Sequence, residues 1–171
     1  TLNDLAQTYD GTARIVSTST VPGGLAVTLT YDGKSWAPTN AGSYAVTGTV
    51  SDANYQGTTN GTLVVAKALL TVTADAQRKA YGAANPVLTF QYSGFVSGQD
   101  ATALTTAPTV GTAVDATTAV GVHVGAIAVS GGVAANYAFT NVAADFTVAE
   151  VFASLAVGRN DVQVVFGLVA A

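Results

Sequence analysis

Cysteine and methionine are both absent from this 171-residue chain, histidine occurs once, glutamate once and tryptophan once. Without cysteine there is no disulfide framework and no thiolate metal site, and the redox compartment is not readable from sulfur. The missing methionine is expected of a processed or excised portion of a longer product, with any secretion signal outside it. Charge is scarce too. Only 9% of residues are charged, and the six basic ones (Arg14, Lys34, Lys67, Arg78, Lys79, Arg159) are scattered within a net charge of −4. No basic stripe exists for a phosphate backbone, so nucleic acid is not an expected partner. Although 49% of residues are hydrophobic, none of the apolar runs approaches the roughly 18 to 20 residues of a membrane helix, and membrane insertion is not expected.

The chain does contain alternation and turns. Leu25, Val27, Leu29 and Tyr31 share one face while Ala26, Thr28 and Thr30 share the other, the period of a half-buried strand. Similar stretches run at Tyr44–Val50, Leu63–Val65, Leu70–Val72, Leu88–Tyr92, Ile127–Val129 and Phe146–Val148. Between them lie Pro22-Gly-Gly24, Asp32-Gly33, Asn40-Ala-Gly42, Asn85-Pro86 and Gly131-Gly132, all turn formers. Only Gly98 to Leu104 is compatible with a helical turn. The expected class is all-β without substantial helix: tandem Ig-like β-sandwich repeats, or a β-grasp-like arrangement in which Gly98 to Leu104 is the reduced helix.

The chain also repeats itself out of register. Tyr9 aligns with Tyr81, Asn54-Tyr55 with Asn136-Tyr137, and Lys67 with Glu150. Leu70-Thr-Val-Thr-Ala-Asp75 is echoed by Leu155-Ala-Val-Gly-Arg-Asn160. The expected organisation is a first repeat at 1–67 lacking its opening strand, a second at 68–150, and at 151–171 an extra strand resembling the start of a third. Such a pattern belongs to a longer array or to a unit that borrows a strand from a neighbour. No Pro or Gly-rich spacer separates the repeats, so the junctions read as tight.

In order along the chain, Thr8-Tyr-Asp-Gly-Thr12, Ala37-Pro-Thr-Asn-Ala-Gly-Ser-Tyr-Ala-Val46, Asp52-Ala-Asn-Tyr55 and Gly61-Thr-Leu-Val-Val65 are followed by Leu70–Asp75, Tyr81-Gly82, Asn85-Pro86, Ser93-Gly-Phe95, Val129–Gly132 and Ala135-Asn-Tyr137. Together these resemble the MBG and YDG domains, bacterial surface repeats that occur in tandem in secreted adhesins and filamentous-haemagglutinin-like proteins. The resemblance implies a stalk or spacer at the bacterial cell surface, extracellular, with no catalytic residue to carry over.

Candidate sites follow from this. The inter-unit strand contact is expected at Leu155, Val157, Val162, Val164 and Phe166 on the donor side and at Leu2 and Leu5 on the acceptor side. Strand addition combines main-chain hydrogen bonds with pockets for alternate side chains. The partners would be copies of the chain or adjacent repeats of one long chain. Trp36 with Tyr31 is the candidate ligand or partner surface, its natural ligand a surface glycan, because an aromatic face stacks on a sugar. His123 has no second histidine or cysteine with which to build a zinc site or a triad. The aspartates lie singly among turns and Glu150 closes a repeat, which favours neither calcium nor paired-carboxylate chemistry. Lys34, Lys67 and Lys79 are the amines open to an isopeptide crosslink, without a specified acceptor. No enzyme activity, metal or cofactor is expected.

Overall fold

The computed structural model describes residues 1–96, 98–155 and 164–167. These form an all-β chain of fifteen strands in which the only helix is one 3-10 turn at Ala101–Ala103. The turn falls in the stretch compatible with helix, and its size leaves no β-grasp helix lying across a sheet. Asp100 caps it, accepting the Thr102 N–H at 2.8 Å.

The first repeat forms β1 (Leu2–Asn3), β2 (Ala6–Thr8), β3 (Ser17–Thr18), β4 (Val27–Tyr31), β5 (Gly42–Val50) and β6 (Thr58–Ala66). Four of these make a sheet in the order β2-β6-β5-β4, with β2 parallel to β6 and the other pairs antiparallel; β1 pairs with β3 separately. Alternation decides which face turns inward: Val46, Leu63 and Val65 are buried while their neighbours Ala45, Thr62 and Val64 are not. A two-residue turn follows β4 because Asp32 and Gly33 both take positive φ, 46° and 75°, the geometry that matches strand twist. Asp32 also ties the turn to β5, its backbone N–H donating to the Ala45 carbonyl and its carboxylate accepting the Ala45 N–H, both at 2.8 Å.

The second repeat forms β7 (Ala68–Ala74), β8 (Gln77–Ala80), β9 (Phe90–Ser93), β10 (Thr106–Thr112), β11 (Gly121–Val133), β12 (Tyr137–Val142) and β13 (Ala144–Ala149). Its sheets run β12-β7-β9 and β10-β11-β13-β8, with β8 parallel to β13. Val72 and Ala74 from the smaller sheet meet Ile127, Val129, Phe146 and Val148 from the larger in one core, closed by Val114. This is a two-layer sandwich, and each fully buried large side chain contributes about 1.5 to 3 kcal/mol. β14 (Phe152–Leu155) and β15 (Val164–Gly167) form an antiparallel hairpin of their own.

Hydrogen-bond register aligns the two repeats residue by residue. Thr8 stands opposite Ala66 as Ala80 stands opposite Ala149, and the N–H of Tyr9 donates to Ala66 as that of Tyr81 donates to Ala149. Leu2 stands opposite Thr18 as Ala74 stands opposite Phe90. β1 therefore corresponds to Ala74 at the end of β7 and to Asp75 after it. Tyr44 and His123 are equivalent as well: the first hydrogen-bonds the Asn40 carbonyl and the second the Ala119 carbonyl, each four residues back and each at 2.9 Å.

Compactness does not follow the repeats. One compact unit is Thr1–Leu70 with Gly94–Thr106 and Val133–Ala138, and the other is Thr71–Ser93, Ala107–Gly132 and Phe139–Ala171. Two segments of the second repeat are thus integral to the unit built on the first.

Candidate functional site

The segments that the second repeat contributes to the first unit carry a network of side-chain contacts. Tyr137, at the start of β12, is 2% exposed and lies edge-on to Tyr9 and to Phe95, with ring centroids 5.8 and 5.4 Å away. Gln99 joins the two tyrosines: its amide donates to the Tyr9 hydroxyl at 2.6 Å, and its carbonyl accepts from the Tyr137 hydroxyl. The Tyr137 oxygen in turn accepts the Val96 N–H at 3.0 Å. The hydrogen bonds offset the cost of desolvating the two phenols.

Asn136 forms a second set of ties. Its side chain accepts the Ala41 N–H at 2.9 Å and donates to the Asn40 side chain at 3.0 Å, while its carbonyl accepts the Ala68 N–H at 2.9 Å. Lys67 donates from Nζ to the Ala134 carbonyl at 2.8 Å. Gly94 follows with φ of 107°, where an added Cβ would lie 2.5 Å from the Leu69 carbonyl oxygen. Only glycine fits there without moving backbone.

The residues equivalent to this network elsewhere are bare. Tyr55, the counterpart of Tyr137, is 46% exposed, and Tyr81, the counterpart of Tyr9, is 39% exposed. Tyr55 lines a groove of about 400 Å³ in the first repeat, bounded by Thr1, Thr18–Val21, Leu25, Val27, Val50 and Tyr55–Thr59. Val21 on its rim is 99% exposed.

The candidate acceptor residues Leu2 and Leu5 lie on the sheet of the first repeat. The Leu2 and Leu5 side chains cover Gly61, and Leu2 also covers Gly48; a Cβ at either glycine would meet them at 3.1 to 3.2 Å. The Leu5 carbonyl accepts the Val64 N–H at 2.8 Å. Of the candidate donors, Leu155, Val164 and Phe166 are in the hairpin, where Leu155 pairs with Val164 and Ala153 with Phe166. Val157 and Val162 lie outside the described residues. Within the hairpin Leu155 and Val164 thus stand opposite one another and Phe166 stands opposite Ala153, while Leu2 and Leu5 lie within their own repeat.

Trp36 and Tyr31 are separated in character. Trp36 is 65% exposed, with Lys34 Nζ 5.5 Å from its ring centroid. Tyr31 is 4% exposed and its hydroxyl accepts the Val16 N–H at 3.0 Å, so it serves the core. Both line a cleft of about 330 Å³ with Asp32, Pro38, Asn40 and Tyr44. The free aromatic face there is that of Trp36.

The carboxylates act as turn locks. Asp10 is held far below the ordinary carboxylate range, first by its ion pair with Arg14 and then by the Thr12 hydroxyl and N–H. Asp100 and Asp115 are lowered by the hydroxyls and N–H groups of Thr102 and Thr117 respectively, with Thr118 adding to the second. No group of three metal-binding side chains occurs among the described residues. Among the described residues Lys79 is the buried charge: 7% exposed, it donates to the Ala83 and Asp115 carbonyls and lies 6.0 Å from the Phe146 ring centroid. Gln7 occupies the same place in the first repeat and donates to the Asp4 and Ile15 carbonyls at 2.8 and 2.9 Å.

Two registers of the same strand plan, with tyrosines at matching positions, describe a duplicated module, and comparison with known families agrees. Residues 1–69 match the family described as MBG domain, and residues 70–147 match MBG domain (YGX type). The chain belongs to the MBG-domain family. MBG domains are repeat modules of surface proteins. No curated protein and no solved structure matches the chain. Among the described residues no helix is long and apolar enough to cross a membrane.

Sequence reasoning singled out the tyrosines and the Asn-Tyr pairs but not Gln99, which bridges Tyr9 and Tyr137. Gln99 lies in a loop with no counterpart in the first repeat, so repetition, the strongest signal available, could not mark it.

Proposed function

We propose that this MBG tandem is a structural module of an extracellular bacterial fibre or adhesin stalk, acting by head-to-tail assembly with copies of itself or with adjacent repeats of one long chain. The observation that carries this reading is the bridge Tyr9–Gln99–Tyr137, in which one repeat completes the compact unit of another. A module whose hydrogen bonds are spent on its neighbouring repeat is suited to transmit load along a chain. The C-terminal strand is donated to a neighbouring unit, giving strength without disulfides. On this reading the chain has no catalytic centre and needs no cofactor or nucleic acid. The test is electron microscopy of native cells with an antibody to the chain. Label along fibres outside the cell is expected, and label confined to the cell interior overturns the proposal.

A second reading is favoured by one observation, the exposed Trp36 face beside Lys34, Asp32 and Asn40. In that reading the cleft binds a surface glycan. Trp36 is the only tryptophan, so its fluorescence reports the cleft alone. A shift with one member of a glycan panel supports binding, and a flat response across the panel removes it.

A further inference from the structure

We propose that the Trp36 cleft of the first repeat holds a single neutral pyranose, stacked on the indole and hydrogen-bonded through neighbouring hydroxyls to Asp32 on one side and to Lys34 and Asn40 on the other. The inference rests on the glycan reading of the cleft and adds to it the charge of the sugar, its size and the groups that hold it.

The polar groups left unused in the cleft define the ligand. Asp32 is fixed before anything binds: its backbone N–H donates to the Ala45 carbonyl and its Oδ1 accepts the Ala45 N–H, both at 2.8 Å. Its Oδ2 has no partner among the described residues. Lys34 is anchored by two backbone hydrogen bonds with Tyr31, at 2.7 and 2.9 Å, while its Nζ has neither an ion pair nor a hydrogen bond among the described residues. Asn40 spends its Oδ1 on the Asn136 amide and its carbonyl on the Tyr44 hydroxyl, which leaves Nδ2 free to donate. The cleft thus offers one carboxylate acceptor and two nitrogen donors beside an exposed indole. A sugar hydroxyl both donates and accepts, so neighbouring hydroxyls satisfy the two kinds of group together.

Charge and size narrow the class. An acidic sugar attracted by Lys34 is repelled by Asp32, and a cationic sugar meets the reverse, so a neutral ring is the one that gains from both groups without opposition. The cleft measures about 330 Å³. That is the small end of the roughly 300 to 1,000 Å³ of ligand clefts, room for one ring rather than for a chain. Lys34 Nζ lies 5.5 Å from the indole centroid, within cation–π range of one face. The pyranose takes the face that Lys34 leaves, its C–H surface laid against the π-system.

The second repeat shows the same place closed. Tyr44 and His123 are equivalent, as are Asn40 and Ala119 four residues before them, and four residues earlier again Asp115 stands at the place of Trp36. The Asp115 carboxylate is consumed by Thr117 and Thr118, and its carbonyl by Lys79. No aromatic residue occurs from Val114 to Val120. One position in the strand plan is therefore sealed by internal hydrogen bonds in one repeat and presents a ring with unused polar groups in the other. The site belongs to the first repeat and not to the strand plan as such.

The test titrates the full chain with the methyl glycosides of glucose, galactose and mannose, each beside its uronate, which differs only in the oxidised primary alcohol. Trp36 fluorescence reports binding, and ligand-observed NMR reports it for variants that lack the indole. At least one neutral glycoside is expected to bind in the millimolar range and about tenfold or more tighter than its uronate. Asp32→Asn keeps an oxygen for the Ala45 N–H and a residue type that tolerates positive φ, but sets an NH₂ in place of Oδ2. It is expected to weaken binding about tenfold, and Trp36→Ala to abolish it. A uronate that binds as well as its neutral partner, a response to oligosaccharides without one to any single-ring glycoside, or unchanged affinity in Asp32→Asn overturns the proposal and leaves the cleft as a glycan site. Binding that survives Trp36→Ala, or no response to any saccharide, overturns the proposal and removes the glycan reading with it.

Discussion

Tyr137 and Tyr55 occupy the same position in two copies of one fold, yet the first is 2% exposed and the second 46%. The local sequence, Asn followed by Tyr at the same place in the register, does not explain the difference. What differs is the opposing surface: Tyr137 has Tyr9, Phe95 and Gln99 against it, while Tyr55 looks into an open groove. Tyr9 and Tyr81 repeat the lesson at the other end of each repeat. Burial in this protein is a property of the junction, and a repeat read alone shows only the positions at which a junction forms.

The sharpest way to break this comparison is to truncate both members. Tyr137→Ala should cost about 4 kcal/mol in chemical denaturation, since it removes a buried ring and leaves Gln99 and the Val96 N–H short of a partner. Tyr55→Ala should cost less than about 1 kcal/mol in dilute solution. Equal costs would mean that the junction contributes nothing particular. The next effect concerns Lys79 and Gln7, the equivalent residues that each clamp two carbonyls. Lys79→Met keeps the stem but removes the ammonium's hydrogen bonds to the Ala83 and Asp115 carbonyls, at about 2 kcal/mol, against about 1 kcal/mol for the neutral Gln7→Leu. Gly94→Ala should lower stability by roughly 1 to 3 kcal/mol through its positive φ and the Leu69 carbonyl, whereas Gly23→Ala in the first repeat, with open space around it, should be near neutral.

The smallest effect is that of acid. Asp10, Asp100 and Asp115 have folded-state pKa values below the ordinary 3.8, so each stabilises the fold above that value and loses its contribution as pH falls through the folded pKa. The melting temperature should hold from neutral pH to about 5 and decline below about 4. In Asp10→Asn the acid-dependent loss should shrink, because the Arg14 ion pair is already gone.

The all-β class was legible in the sequence because period-2 alternation and Asp-Gly or Gly-Gly turns are local signals, and β4 and β5 run where Leu25–Tyr31 and Tyr44–Val50 alternate. The equivalence of the repeats was legible for a similar reason: Tyr9 with Tyr81 and Lys67 with Glu150 mark matching steps of a parallel strand pair. Local patterns do not encode which side chains meet across distance. Tyr31 alternates like a strand residue next to an exposed Trp36, and nothing nearby in sequence says that its hydroxyl is consumed by Val16. Nor does any spacing announce that Gly94–Thr106 and Val133–Ala138 belong to the unit of the first repeat. That division is decided by long-range contacts such as Asn136 with Ala41, ninety-five residues apart.

The central claim, that the second repeat completes the first, is tested most directly by hydrogen exchange on a Leu63→Ala variant. Leu63 is fully buried in β6, so its truncation loosens the first unit. The account predicts that amide protection falls together across 1–70, 94–106 and 133–138 while 107–132 keeps its protection. Loss that stops at residue 67, with 94–106 and 133–138 unchanged, would contradict it.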